Sequence, residues 1–123
     1  MNEITGVAQI ALSVRDLARA TPFYRDGLGL KHLFDVPGLS FFDVGGVRLM
    51  ISASDGEPGG AATIIYLRVA DLDAAHAALL ARGVAFKQAP HVVGRTPDKE
   101  VSLAFCLDPD GNMIGLMSER ALG

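Results

Sequence analysis

The chain has 123 residues, half of them hydrophobic, which suits one packed domain and excludes a disordered polar chain. Fourteen Asp plus Glu against eleven Lys plus Arg give a formal charge of −3, and no basic stripe offers nucleic acid a surface. The single Cys106 excludes an intrachain disulfide, no run reaches the about 18 apolar residues of a membrane span, and no secretory leader is visible, so a cytoplasmic protein is expected.

Residues 7–14 (VAQIALSV) form a strand-like run. Asp16 stands at a helix N-cap, and Leu17, Ala20, Phe23, Tyr24 and Leu28 follow at helical spacing until Gly27 and Gly29 close the segment. Strands are predicted over 30–35, 39–44 and 47–52, with Gly45-Gly46 as a tight hairpin turn. The stretch 54–61 (SDGEPGGA) is a linker.

A second series then begins. Residues 63–69 (TIIYLRV) are strand-like, Asp71 is a second cap, and Leu72, Ala75, Leu79 and Leu80 make an apolar stripe closed by Gly83. Strands are predicted over 84–87, 101–107 and 112–117, with the turn Asp108-Pro109-Asp110-Gly111 between the last two. A loop over about 89–99 carries His91, Arg95 and Asp98. Laid over each other, the two series match at Ile10/Ile65, Leu12/Leu67, Val14/Val69, Asp16/Asp71, Leu17/Leu72 and Ala20/Ala75. The matches fall on one strand face, the cap and the first helical contacts. The fold class is therefore α+β: one domain over 1–123, with internal repeats of about 7–52 and 62–118, each reading strand, helix, strand, strand, strand.

A sheet covered by its own helix on one side needs cover on the other, which paired βαβββ modules curving into one mixed sheet around a central cleft would supply. Parity puts Ile10, Leu12 and Val14 on the helix side and Gln9, Ala11 and Ser13 on the cleft side. In the second series Ile64, Tyr66 and Arg68 face the cleft. Uniform aliphatic rows against mixed rows are the pattern of a binding cavity, although Tyr66 and Arg68 on a half-solvated sheet would read the same way.

The motifs QIALSVRDLARATPFYRDGLGL (9–30), YLRVADLDAAHAALLARGV (66–84) and LDPDGNMIGLMSE (107–119), in this order and spacing, resemble the vicinal oxygen chelate superfamily. That superfamily includes glyoxalase I, extradiol dioxygenases and bleomycin resistance proteins. The resemblance implies a divalent metal held by His or Glu on the first and last strands of each half. The corresponding positions are Gln9, Ile64, Gly115 and, near the Gly45-Gly46 turn, Leu49. A register slip of one residue would bring Arg48 or Met50 into the fourth place, and neither supplies the missing metal ligand. None of these is a hard anionic or imidazole donor, so no metal and no cofactor are expected.

The candidate ligand-binding residues are Gln9, Ser13, Phe42, Leu49, Ile64, Tyr66, Arg68 and Gly115. Arg68 is suited to a ligand carboxylate or phosphate, or alternatively to a salt bridge. Phe41, Phe42, Tyr66 and Phe105 are enough to line an apolar pocket. His91 and Glu100 would be the catalytic pair of a metal-free enzyme, with Glu100 raised by burial; the alternative is a solvated loop histidine and an edge carboxylate. Three functions stay open: metal-independent binding or sequestration of a small, partly apolar or aromatic molecule, a glyoxalase-like lyase or isomerase working without metal, and a structural or regulatory interaction module. The partner expected is a small molecule, with neither nucleic acid nor membrane, and the resemblance implies a homodimer.

Overall fold

A computed structural model describes residues 3, 6–53 and 64–122. The linker 54–61, Thr63 and the start of the second repeat at 62 lie outside the described residues. The chain divides into two compact units, Met1–Pro58 and Gly59–Gly123. Each carries a four-stranded mixed sheet and a helix, so both are βαβββ modules. No helix among the described residues is long and apolar enough to cross a membrane.

The first unit runs β1 (Gln9–Ser13), α1 (Leu17–Pro22), a π-helical turn (Phe23–Gly27), β2 (Lys31–Val36), β3 (Leu39–Val44) and β4 (Val47–Ser52). Its strand order is β1-β4-β3-β2, with β1 and β4 parallel and the rest antiparallel. The Asp16 carboxylate caps α1 by accepting from Ala18 N at 2.9 Å. The predicted single helix is split at Pro22, which has no N–H to donate to the preceding turn. The chain widens there into a π turn, in which Leu28 N donates to Phe23 O. Ala20, Tyr24 and Gly27 are the buried face of this segment. Between β3 and β4, Gly45 and Gly46 both take positive φ (59° and 93°), the requirement of the two-residue turn predicted there.

The second unit runs β5 (Ile65–Arg68), α2 (Leu72–Ala81), β6 (Ala85–Arg95), β7 (Lys99–Leu107) and β8 (Met113–Ala121), in the order β5-β8-β7-β6. Asp71 caps α2 through Ala74 N, and Gly83 ends it in the left-handed region. Val84 N then returns to Leu79 O and Gly83 N to Leu80 O, with Leu79 and Val84 both buried beneath the turn. His76, mid-helix, packs edge-on against Phe86 at 4.5 Å.

The loop predicted over 89–99 is a correction. Strand β6 continues to Arg95, and only a short turn separates it from Lys99. Pro90 and Gly94 would disrupt a central strand, but β6 is the sheet edge and takes them up in register shifts between Gln88 and His91 and between Val92 and Gly94. Strand β8 likewise extends to Ala121, beyond the predicted end at 117.

Candidate functional site

Register decides which side chains share a face. In the second unit, Tyr66, Gly115, Phe105 and Gln88 pair across β5, β8, β7 and β6, and the adjoining row is Arg68, Met117, Leu103 and His91. Ile65 and Leu67 instead join Ile114 and Leu116 on the other face, the side of α2. The first strand is therefore oriented as its alternation predicts. Tyr66 remains 46% exposed on the helix-free face, and its ring meets that of Phe105 at 6.0 Å and 68°. Ile64 precedes β5 on the same parity and is half-buried.

Gly115 is what allows this arrangement. A Cβ there would stand 2.6 Å from Tyr66 Cδ1 and 3.3 Å from Phe105 Cε1, so the missing side chain is the space the two rings occupy. The sequence marks Gly115 as a position matching a metal ligand and as a ligand-binding candidate, but not as the point where two rings close over the backbone. A glycine inside a strand, between Ile114 and Leu116, is itself a sign of close approach.

The first unit requires a change of parity. Leu49 pairs with Ile10 and Phe42, and all three belong to the face packed by Tyr24; Phe42 is fully buried and Leu49 is 4% exposed. Neither therefore lies on the helix-free face where the expected ligand-binding row placed them. The residues there are Gln9, Ala11 and Ser13 with Arg48, Met50 and Ser52 and with Phe41. Gln9 Nε2 lies 3.6 Å from Met50 Sδ, the Arg48 guanidinium lies 5.9 Å over the Phe41 ring, and Phe34 stacks on Phe41 at 4.6 Å. Ser13 is half-buried beside Ser52. The error came from counting β4 from its turn: starting one residue later exchanges every side chain between faces.

The positions matching the metal ligands of the resembling family are therefore Gln9, Met50, Ile64 and Gly115. Met50 partners Ala11 as Gly115 partners Tyr66. One amide and one thioether, with an isoleucine and a glycine covered by an aromatic ring, do not fit a catalytic divalent ion. Among the described residues, no group of three or more His, Cys, Asp or Glu could hold a metal.

His91 and Glu100 both border an open groove of about 650 Å³ in the second unit, together with Asp71, Ser102, Ser118 and Arg120. They are not hydrogen-bonded to each other. His91 Nδ1 lies 3.0 Å from the carbonyl of Ala89. The Glu100 side chain is 11% exposed and is clamped by Arg95 Nε at 2.8 Å and by an Arg120 guanidinium nitrogen at 3.0 Å. The hydrogen bond from Arg95 leads in holding its pKa below the usual carboxylate value, with the charges of both arginines adding to it. The expectation that burial raises Glu100 is thus reversed, because the same strand extensions that bury it also bring two cations. Glu100 is a fixed carboxylate rather than a proton donor near neutrality.

A Ser–His–Asp cluster that the sequence did not reveal lies in the first unit. A register shift between His32 and Phe34 puts His32 and Asp35 on one face, where His32 Nε2 lies 2.7 Å from Asp35 Oδ1 and Ser40 Oγ donates to the same oxygen at 2.6 Å. The Ser40 bond leads in lowering Asp35. This is not a nucleophilic triad: Ser40 is fully buried, gives its proton to the carboxylate, and meets the same imidazole nitrogen that faces Asp35. The cluster satisfies the buried Ser40 hydroxyl beside Phe42, on which His32 stacks at 5.0 Å.

The family model for the glyoxalase/bleomycin resistance protein/dioxygenase superfamily matches residues 6–116. A solved member of that superfamily from Sphaerobacter thermophilus DSM 20745 is 26% identical, with 94% of this chain and 98% of that chain covered and a TM-score of 0.77. A glyoxalase/bleomycin resistance protein/dioxygenase from Alicyclobacillus acidocaldarius is 23% identical over 96% and 94% of the two chains, with a TM-score of 0.75. A lactoylglutathione lyase from Agrobacterium tumefaciens is 23% identical over 94% and 95%, with a TM-score of 0.71. At these identities the last two show likeness of fold alone. No curated protein matches the chain.

Proposed function

The chain belongs to the glyoxalase/bleomycin resistance protein/dioxygenase superfamily, and we propose that it binds a small, partly apolar or aromatic molecule without a metal. The observation that carries this reading is the Tyr66–Phe105 pair seated over Gly115. A ring pair stands where a metal-dependent relative would need a ligand side chain, and it offers an exposed aromatic surface instead. Phe41, Phe34 and Met50 give the first unit an apolar counterpart on its own helix-free face. The family match spans both units, which supports reading 1–123 as one functional domain.

A ligand-observed screen of aromatic and aliphatic compounds tests it. Saturable binding that is lost in a folded Tyr66→Ala variant is the expected result. A well-folded sample that binds no compound of a diverse library would overturn the reading. Homodimer formation is part of the proposal: the edge strands β2 and β6 expose Leu33, Phe34 and Val36 and Val92 and Val93, respectively. Light scattering across a dilution series measures it.

A second reading, a metal-free lyase or isomerase, has one specific observation behind it: His91 and Glu100 border the same groove. An imidazole that donates from Nδ1 to Ala89 O would keep Nε2 as a base. Turnover that survives chelator and collapses in His91→Ala would establish it.

A further inference from the structure

Arg68 follows Tyr66 by two positions on β5, so their side chains leave the same face with Cα atoms about 7 Å apart. The surface between and beside them is apolar: Met117 is Arg68's partner on β8, and Leu103 continues the row on β7. Among the described residues Arg68 is the one arginine without a hydrogen bond, ion pair or ring contact. Arg25 holds Asp26, Arg95 and Arg120 hold Glu100, and Arg48 lies over Phe41. Glu119, further along the same face of β8, is already engaged by Lys99 Nζ at 3.1 Å.

We infer that the ligand is an aryl carboxylate, its ring on the Tyr66–Phe105 step and its carboxylate on Arg68; this rests on the proposed small-molecule binding and deepens it. A guanidinium gives a carboxylate two parallel hydrogen bonds and keeps its charge at any working pH. A neutral aromatic seated on the same face would shield Arg68 from water without supplying a counter-charge, so the face selects against it. One isolated arginine matches a single negative charge, which favours a carboxylate over a doubly charged phosphate. The spacing of the two strand positions suits a ring and a carboxylate separated by a short alkyl chain.

The test compares 3-phenylpropionate with its neutral isostere 3-phenylpropan-1-ol by titration calorimetry at low salt. The full chain, Arg68→Gln, Tyr66→Leu and, as a charge control off this face, Arg82→Gln are used, each first checked for an unchanged fold by circular dichroism. The acid is expected to bind about tenfold or more tighter than the alcohol in the wild type. Arg68→Gln removes that preference, Arg82→Gln keeps it, and Tyr66→Leu weakens the acid. Equal binding of acid and alcohol by the wild type, or a preference that persists in Arg68→Gln, overturns the inference. If neither probe binds while other aromatics from the screen do, the inference fails and the proposed function stands. If no aromatic binds at all, both fall.

Discussion

The Tyr66 ring lies so close over Gly115 that a single added methyl would stand 2.6 Å from Cδ1 and 2.9 Å from Cε1. Gly115 is not among the positive-φ glycines, so the backbone would accept alanine and the Tyr66 ring, with a lesser contribution from Phe105 at 3.3 Å, resists it. Gly115→Ala is therefore expected to cost about 1–3 kcal/mol by overpacking. In the Tyr66→Ala background the same change costs far less, because its neighbour is gone. A double-mutant cycle by denaturant unfolding measures the coupling, and additive costs would show that the ring is not held there.

The same pair bears on metal. A glutamate installed at Gly115 would have to displace the Tyr66 ring before its carboxylate reached open space, and Ile64, the other matching position of this unit, would still contribute no donor. Wild-type protein purified without tag or chelator from medium supplemented with Ni, Zn, Mn and Fe is expected to carry far less than one equivalent of any of them. Near-stoichiometric metal surviving dialysis would refute the assignment of Gln9, Met50, Ile64 and Gly115 as non-ligands.

The turn after β7 depends on one buried carboxylate. Asp108 accepts from Asp110 N at 2.9 Å and from Asn112 N and Nδ2, each at 2.7 Å. Asp108→Ala strips an acceptor from three donors in a buried turn and is expected to cost about 2–4 kcal/mol. Asp108→Asn, which keeps one acceptor oxygen, costs less. Thermal or denaturant unfolding of the two variants decides this, and equal stability of Asp108→Ala and wild type would count against the account.

Much of this is legible in the sequence alone. Both caps, Asp16 and Asp71, the Gly45-Gly46 turn and the order of elements follow from local chemistry that a few adjacent residues decide. The parity of β5 was also readable, because a long alternating run leaves one choice of face. The parity of β4 was not. Residues 47–52 are apolar at Val47, Leu49, Met50 and Ile51, which permits two registers, and pairing with β1 and β3 chooses between them. Edge strand β6 runs through Pro90 and Gly94, which an edge tolerates and a central strand does not, so local composition gives no sign of it. The Arg95–Glu100–Arg120 clamp depends on that strand and on the extension of β8, so it was hidden too. The one-residue shift that gathers His32, Asp35 and Ser40 has no signature in spacing.

Burial pushes the Cys106 thiol up to about 11, with the charge of Asp108 contributing in the same direction. The thiolate needed for alkylation or disulfide exchange is then roughly a thousandth of the population at pH 8. Cys106 is expected to resist a thiol-reactive chromogenic disulfide in native protein and to react fully after denaturation. Rapid native labelling would mean that the strand opens locally or that the thiol is not buried.

Acid stability tests the clamp on Glu100. Its folded pKa lies below the ordinary glutamate value of 4.5, chiefly because Arg95 donates to it. A group lowered in the folded state contributes stability that is full above its unfolded pKa and is lost as pH falls through the folded one. The wild type should therefore exceed Glu100→Gln in unfolding midpoint at pH 7, and the gap should close as pH falls below the ordinary glutamate value and through the lowered folded one. Asp35, lowered chiefly by Ser40, is present in both proteins and cancels from the difference. A gap that stays constant from pH 7 to 3 would show that the charge of Glu100 contributes nothing to the fold. It would also reopen this carboxyl as a group free to exchange a proton with a ligand in the groove it shares with His91.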